Sequence, residues 1–172
     1  MRFKAILFLV LGVGFIQLGN AQTATTASTP VWQFLCERYA YSGHLEVQIS
    51  KTATGGQLTL ALENASTTTT LSGTTYLFLH NNTVITCTDK NKRSTDGSKI
   101  ISYYSLNAAE MKLVQQHRID YIHFNIKGNS KSFSGQLGNF TALNKRSYFG
   151  KDTPENPNYY DTAADCKGSI KC

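Results

Sequence analysis

Apolar and polar residues alternate along much of the chain between residues 31 and 144, and a period of two is typical of β-strands with one buried face. The alternation is strict over residues 44–49, and over residues 58–62 leucines alternate with Thr59 and Ala61. The turn residues Thr54-Gly55-Gly56 separate these two segments, so together they predict a β-hairpin.

Further segments have strand-like composition or alternation and predict additional strands: 31–36, 76–79, 84–88, 100–106, 119–126 and 133–141. The first of these also fits a helix, because Thr29 and Pro30 form a good helix start. The second is apolar on both faces, which predicts a central position in a sheet.

The period changes after Leu106, where the sequence predicts one short α-helix over about 107–117. Asn107 suits the N-cap, and Glu110 three residues later completes a capping-box pattern. Met111 and Val114 give this helix an apolar side. The predicted fold class is therefore mainly β, an antiparallel β-sandwich or an open barrel-like sheet with one short helix.

The first 21 residues have the pattern of a secretory signal peptide. Arg2 and Lys4 precede an apolar run of about a dozen residues, and small residues precede Gln22, where we expect cleavage. A membrane-spanning helix needs roughly 20 apolar residues. The protein is therefore predicted to be secreted or periplasmic, without stable membrane insertion.

The rest of the chain divides by composition into three parts. Residues 22–30 are rich in Thr, Ala and Ser and predict a flexible linker. Residues 31–144 carry the strand patterns and predict a single β domain. Residues 145–172 are polar with few apolar positions and predict an irregular C-terminal extension.

Four cysteines, Cys36, Cys87, Cys166 and Cys172, follow the leader. An even number in an exported protein favours disulfides. The short loop between Cys166 and Cys172 favours pairing of these two, which leaves Cys36 with Cys87. A zinc site would need closely spaced pairs such as C-x2-C, and the chain has none among these four.

The net charge of the protein and its short sequence motifs argue against several classes of function. Removing residues 1–21 would lower the formal net charge from +6 to +4, which is too weak to indicate nucleic-acid binding. The histidines lack H-x-H and H-E-x-x-H spacing. The segment Asp89–Ser94 has Arg93 where a calcium loop needs an oxygen ligand. We therefore expect no metal and no cofactor.

Catalysis has little support in the sequence. Neither G-x-S-x-G nor S-x-x-K occurs after the leader. His117, Asp120 and His123 lie near the junction of the predicted helix and the following strand, and they are the candidate site of an alternative, an envelope-acting hydrolase. A further alternative is a secreted inhibitor or immunity-type protein that presents the polar, basic loop predicted at Asp89–Ser98.

Two sets of side chains favour binding of a glycan or an anionic surface. Tyrosines offer candidate stacking surfaces for sugars: Tyr103, Tyr104, Tyr121 and Tyr148. Cationic residues in and beyond the predicted basic loop offer a candidate patch: Lys90, Lys92, Arg93, Lys127, Lys131, Lys145 and Arg146.

Several runs together resemble a group of small, exported, uncharacterised bacterial β proteins. They are Tyr76-Leu77-Phe78-Leu79, Val84-Ile85-Thr86-Cys87-Thr88-Asp89, Tyr103-Tyr104-Ser105-Leu106, the short helix and Gly138-Asn139-Phe140-Thr141-Ala142. The likeness covers roughly Tyr76 to Lys145. It implies export and a mainly β fold, and it implies no activity. The function predicted from the sequence is an exported, non-enzymatic β domain that binds a protein partner or a glycan at the cell envelope.

Overall fold

The computed structural model describes residues 27–37, 43–63, 68–128 and 137–170. These residues form nine strands and two helices. In chain order they are β1 (Trp32–Glu37), β2 (His44–Thr52), β3 (Gly55–Glu63), β4 (Thr69–Leu71), β5 (Thr75–Leu79), β6 (Val84–Asp96), β7 (Lys99–Asn107), α1 (Ala108–Gln116), β8 (Ile119–Gly128), β9 (Gly138–Leu143) and α2 (Thr162–Ser169).

Eight of the strands close into an antiparallel barrel. The order around the barrel is β8-β5-β6-β7-β3-β2-β1-β9, and β9 pairs with β8 to complete the ring. The short strand β4 lies on the same edge of β8 as β5, with Leu71 opposite Ile126 and Leu77 opposite Ile122. The predicted mainly β, barrel-like sheet is confirmed, and the sheet is closed rather than open.

The barrel interior is filled by alternate residues of its strands, as expected for a barrel of eight strands. The largest side chains with almost no exposure include Trp32, Phe34, Tyr104 and Phe124. Side chains therefore fill the interior of the barrel. A cleft large enough for a small ligand lies on its outer wall.

The two helices lie over one end of the barrel. In α1 the side chain of Asn107 accepts from the backbone N–H groups of Ala109 and Glu110, and the Glu110 carboxylate accepts from the N–H of Asn107. The predicted capping box and helix are thus confirmed. Met111 and Val114 of α1 are buried in the core.

The chain after residue 144 differs from the predicted irregular extension because it includes α2. Asp161 caps this helix, and Cys166 and Ile170 enter the core. The indole Nε1 of Trp32 donates to Asp165 Oδ2 over 2.7 Å, which attaches α2 to the first strand. None of the helices within the described residues is long and apolar enough to cross a membrane.

The polar segment Asp89–Ser98 also differs from its prediction as a loop. Residues up to Asp96 continue β6, and Lys99 begins β7, so most of the segment belongs to a hairpin with an irregularity between Asp89 and Arg93. Residues 133–136 of the last predicted strand lie outside the described residues, and β9 begins at Gly138.

The structure does not form the predicted Cys36–Cys87 disulfide. Cys36 lies on β1 and Cys87 on β6, which stand four strands apart in either direction around the ring, on opposite walls of the barrel. Cys36, Cys87 and Cys166 are each buried with a free thiol. Cys172 lies outside the described residues, so the Cys166–Cys172 pairing stays a prediction.

Candidate functional site

The structure separates the three residues of the hydrolase hypothesis. Asp120 accepts from His80 Nδ1 over 2.9 Å and from Arg118 Nε over 3.0 Å, so its partners are two residues that the hypothesis did not include. His117 is the C-cap of α1. His123 lies exposed on β8 among aromatic rings. No cluster of three or more His, Cys, Asp or Glu suited to a metal occurs in the part of the chain that the structure describes.

A concave surface lies on the outer wall formed by β5, β8 and β9. In an antiparallel sheet, residues that are directly opposite each other project on the same face. Tyr76 of β5 is opposite His123 of β8, and His123 is opposite Thr141 of β9. These three side chains therefore form one row across the wall.

An aromatic cluster adjoins this row. The rings of Phe78 and Tyr121 stack with centroids 4.3 Å apart and planes 13° apart. The His123 ring lies 4.7 Å from Phe78 and 5.3 Å from Tyr121. Tyr76, in the neighbouring row, is 39% exposed. Aromatic rings are thus exposed on the outer wall of the barrel.

Amide groups form the next row of the same wall. Asn125 Nδ2 donates to Asn139 Oδ1 over 2.8 Å. The Oδ1 atom of Asn125 is buried and has no hydrogen-bond partner in the structure. A buried acceptor without a partner is costly, by about 1–3 kcal/mol. Asn125 thus combines a position in the lining of this concave surface with a buried acceptor that has no partner.

Together these rows enclose a groove of about 510 Å³, which we call the outer groove. Its lining combines aromatic, amide, hydroxyl and cationic groups: Gly73, Thr74, Tyr76, His123, Phe124, Asn125, Lys127, Asn139, Phe140 and Thr141. This set includes no Asp or Glu among the residues that the structure describes. Lys127 gives the lining its permanent positive charge.

Gly73 determines the shape of this end of the groove. Its φ of +85° is in the left-handed region, which favours glycine. A Cβ on Gly73 would lie 3.7 Å from Lys127 Nζ. The ammonium group of Lys127 therefore lies next to the kink between β4 and β5.

A second cleft of about 540 Å³ lies on the other side of this kink and shares Gly73, Thr74 and Lys127 with the outer groove. Its other lining residues are Ser72, Thr86, Cys87, Thr88, Asp89, Asn91 and Arg93. We call it the seam cleft because it follows the line where β4 and the second half of β6 have no ladder of backbone hydrogen bonds.

The Asp89 carboxylate bridges this seam. It accepts from Gly73 N over 3.0 Å, from Asn91 N over 2.8 Å and from both terminal nitrogens of Arg93. Burial alone would raise the pKa of Asp89, but the hydrogen bonds from Arg93, Asn91 and Gly73 outweigh burial and hold the pKa below its ordinary value. Asp89 and Arg93 thus neutralise each other, which leaves Lys127 as the uncompensated charge shared by the two clefts.

The tyrosines predicted to stack on sugars lie in different places. Tyr121 belongs to the aromatic cluster beside the outer groove, but Tyr104 is fully buried inside the barrel. Tyr103 lies on another wall, where Lys92 Nζ is 5.3 Å from its ring. Tyr148 donates to the carbonyl oxygen of Cys36 over 2.7 Å.

The predicted basic patch is likewise divided. Lys90 donates to Gln57 of β3, Arg93 pairs with Asp89, and Arg146 lies over the ring of Tyr160. Lys131 lies outside the described residues. Of the cationic residues predicted for the patch, Lys127 lines the outer groove.

The sequence analysis assigns no binding role to Tyr76, Asn125 or Asn139. The signal for Tyr76 was available, because Tyr76 and Phe78 occupy alternate positions of one strand and so share a face. The sequence pattern nevertheless predicts that this face is buried, because Leu77 and Leu79 on the other face are apolar too.

Comparison with known proteins identified no relative of this chain. No family model, curated protein or solved structure matches this chain. The expected kinship with small exported bacterial β proteins stays a prediction.

Proposed function

We propose that this protein is a non-enzymatic binding protein that holds a saccharide in the outer groove. The observation that supports the proposal most is the placement of exposed aromatic rings and amide groups in adjacent rows of one concave wall. The C–H faces of a sugar ring pack on aromatic rings, and its hydroxyls both donate and accept hydrogen bonds, as amides do.

The unpartnered Oδ1 of Asn125 supports the same proposal. Once the Asn125 side chain turns toward the groove, a sugar hydroxyl can donate to this atom, whereas a purely apolar ligand would leave it without a partner. The neighbouring Asn139 and Thr141 add further polar groups at the same rim. Small-ligand sites commonly combine apolar walls with a few oriented polar groups in this way.

The predicted leader would bring the domain to the cell envelope or beyond it, where polysaccharides are abundant. The alternatives from the sequence have less support. A hydrolase built on His117, Asp120 and His123 would need these side chains to converge, and Asp120 is engaged by His80 and Arg118 instead. An inhibitor presenting Asp89–Ser98 as a loop would use a segment that is largely paired in a hairpin.

Titration of the purified protein with a panel of neutral and acidic oligosaccharides, followed by isothermal titration calorimetry, tests the proposal. Tyr76→Ala should weaken binding by about 2- to 12-fold, the equivalent of about 0.5–1.5 kcal/mol for an aromatic contact. Tyr103→Ala is the matched control, because Tyr103 is a half-buried tyrosine on a different wall. The proposal fails if no saccharide binds, or if Tyr103→Ala weakens binding and Tyr76→Ala does not.

A further inference from the structure

We propose that the ligand of the outer groove is an anionic oligosaccharide whose carboxylate or sulfate group pairs with Lys127 and whose chain continues into the seam cleft. This inference rests on the proposed saccharide binding and adds to it the charge and the extent of the ligand.

The charge follows from the lining of the two clefts. Lys127 lines both, and its Nζ lies beside the kink at Gly73 where the clefts meet. Arg93, the other cation of the seam cleft, is held by Asp89. Among the described residues that line the seam cleft, the carboxylate is that of Asp89. A ligand placed across the kink therefore meets one net positive charge, at Lys127.

Lysine suits this task because its ammonium group is a compact charge with three donors that can approach an anion from several directions. An anion there does not have to displace an existing partner, since the structure gives Lys127 no ion pair among the residues that it describes. An unpaired Asp89 would repel a ligand carboxylate at this point, so the Asp89–Arg93 pair leaves the positive charge of Lys127 unopposed.

The extent of the ligand follows from the two volumes. Each cleft, at about 510 and 540 Å³, is by itself within the range of small-ligand sites, about 300–1,000 Å³. The two share three residues, so they form one continuous surface. The outer groove offers ring faces and amides, whereas the seam cleft offers the hydroxyls of Ser72, Thr86 and Thr88. A chain of sugar units, with its anionic group near the junction, uses both.

The test uses pairs of oligosaccharides that differ only in the anionic group: uronate chains against their methyl esters, and sulfated chains against their desulfated forms. The unmodified protein should bind the acidic member of at least one pair more tightly, by about 1.5- to 5-fold, the effect expected for one solvent-exposed charge pair. The pair that shows the preference identifies the anion as a carboxylate or a sulfate. Raising the salt concentration should reduce the preference.

Lys127→Met should remove the preference for the acidic member, and Lys127→Arg should retain it. Lys112→Met, at an exposed lysine of α1 on the helical end of the barrel, is the matched control and should change nothing. An acidic monosaccharide should bind more weakly than the oligosaccharide.

Each contrary outcome has a separate meaning. If neutral members bind as tightly as acidic ones, or if Lys127→Met keeps the preference, the anionic ligand is refuted while saccharide binding stands. If the monosaccharide binds as tightly as the chain, the extension into the seam cleft is refuted. If no saccharide of either kind binds, both proposals are refuted.

Discussion

Asp89→Asn should destabilise the protein by removing the charge that holds the seam of the barrel. The asparagine has the same shape, and its amide oxygen can still accept from Asn91 N and Arg93 Nη1. Its NH2 group, however, has hydrogens where Oδ2 of the carboxylate now accepts from Gly73 N and Arg93 Nη2. The substitution therefore replaces charge-assisted hydrogen bonds with opposed donors and leaves Arg93 without its anion.

The expected size follows from the number and exposure of these bonds. A hydrogen bond to a charged group contributes about 1.5–3 kcal/mol. The side chains of Asp89 and Arg93 keep 14% and 25% of their surface exposed, so solvent reduces the contribution of each bond. We expect a loss of about 2–3 kcal/mol at pH 7, which lowers Tm by roughly 5–10 °C for a domain of this size.

Urea unfolding followed by tryptophan fluorescence measures this loss, because Trp32 is buried in the core. Asp96→Asn is the matched control, an exposed aspartate on the same strand, and should stay within about 0.5 kcal/mol of the unmodified protein. A double-mutant cycle with Arg93→Met should give a coupling energy of about 1–3 kcal/mol. The reasoning is refuted if Asp89→Asn matches Asp96→Asn, or if the coupling energy is near zero.

The pH dependence gives an independent check. The pKa of Asp89 is lower in the folded protein than its ordinary value, which is about 3.9 in an unfolded chain. Its stabilisation is therefore fully present above about pH 4 and is lost as the pH falls from there through the folded-state pKa. The difference in unfolding free energy between the unmodified protein and Asp89→Asn should shrink below about pH 4, and a constant difference down to pH 2 would contradict the assignment.

Burial raises the pKa of each of the three described thiols to about 12, so at pH 8 iodoacetamide should label them only after denaturation. Since an unfolded thiol titrates near 9, the same groups should cost the protein stability as the pH rises from about 9 to 12; labelling of the native protein at pH 8, measured by peptide mass spectrometry, would contradict their burial. Asn107→Ala removes the cap of α1 and should lower the unfolding free energy by about 1 kcal/mol, measured by urea unfolding; an unchanged value would show that the cap contributes nothing. Trp32→Phe keeps an aromatic ring but removes the N–H donor to Asp165 together with part of the buried indole. Hydrogen exchange of the α2 amides should therefore become faster, by about 5- to 30-fold if the bond contributes about 1–2 kcal/mol; unchanged exchange would show that this bond does not hold α2 in place.

The sequence predicted those elements whose local pattern matches their environment. β2 and β3 alternate because one face is in the barrel and the other in solvent, and α1 begins at a capping box that is local in sequence. The second half of β6 lacks apolar residues, so its sequence predicts a loop instead of a strand. Asp89 and Arg93 occupy its inward positions. Their ion pair, together with the hydrogen bond from Gly73 N to Asp89, connects the two sides of the seam in place of hydrophobic contacts.

Long-range features were not predictable in the same way. The helix α2 has no apolar stripe, and it is held by a few separate contacts such as Cys166 in the core and Asp165 on Trp32. Closure of the barrel depends on pairing between β1 and β9, which no local pattern encodes. The outer groove likewise joins side chains of three strands, so only the register of those strands reveals that Tyr76, His123 and Thr141 are neighbours.

The position of β9 between β1 and β8 has a consequence for synthesis. The barrel cannot close until residue 143 has been made, because β9 pairs with a strand formed early and with one formed late. Until then the edges of β1 and β8 have unpaired backbone groups, which other chains can bind. The core residues of α2 arrive later still. The nascent chain therefore needs protection from aggregation through most of its production, and non-local pairing of this kind also slows folding once the chain is released.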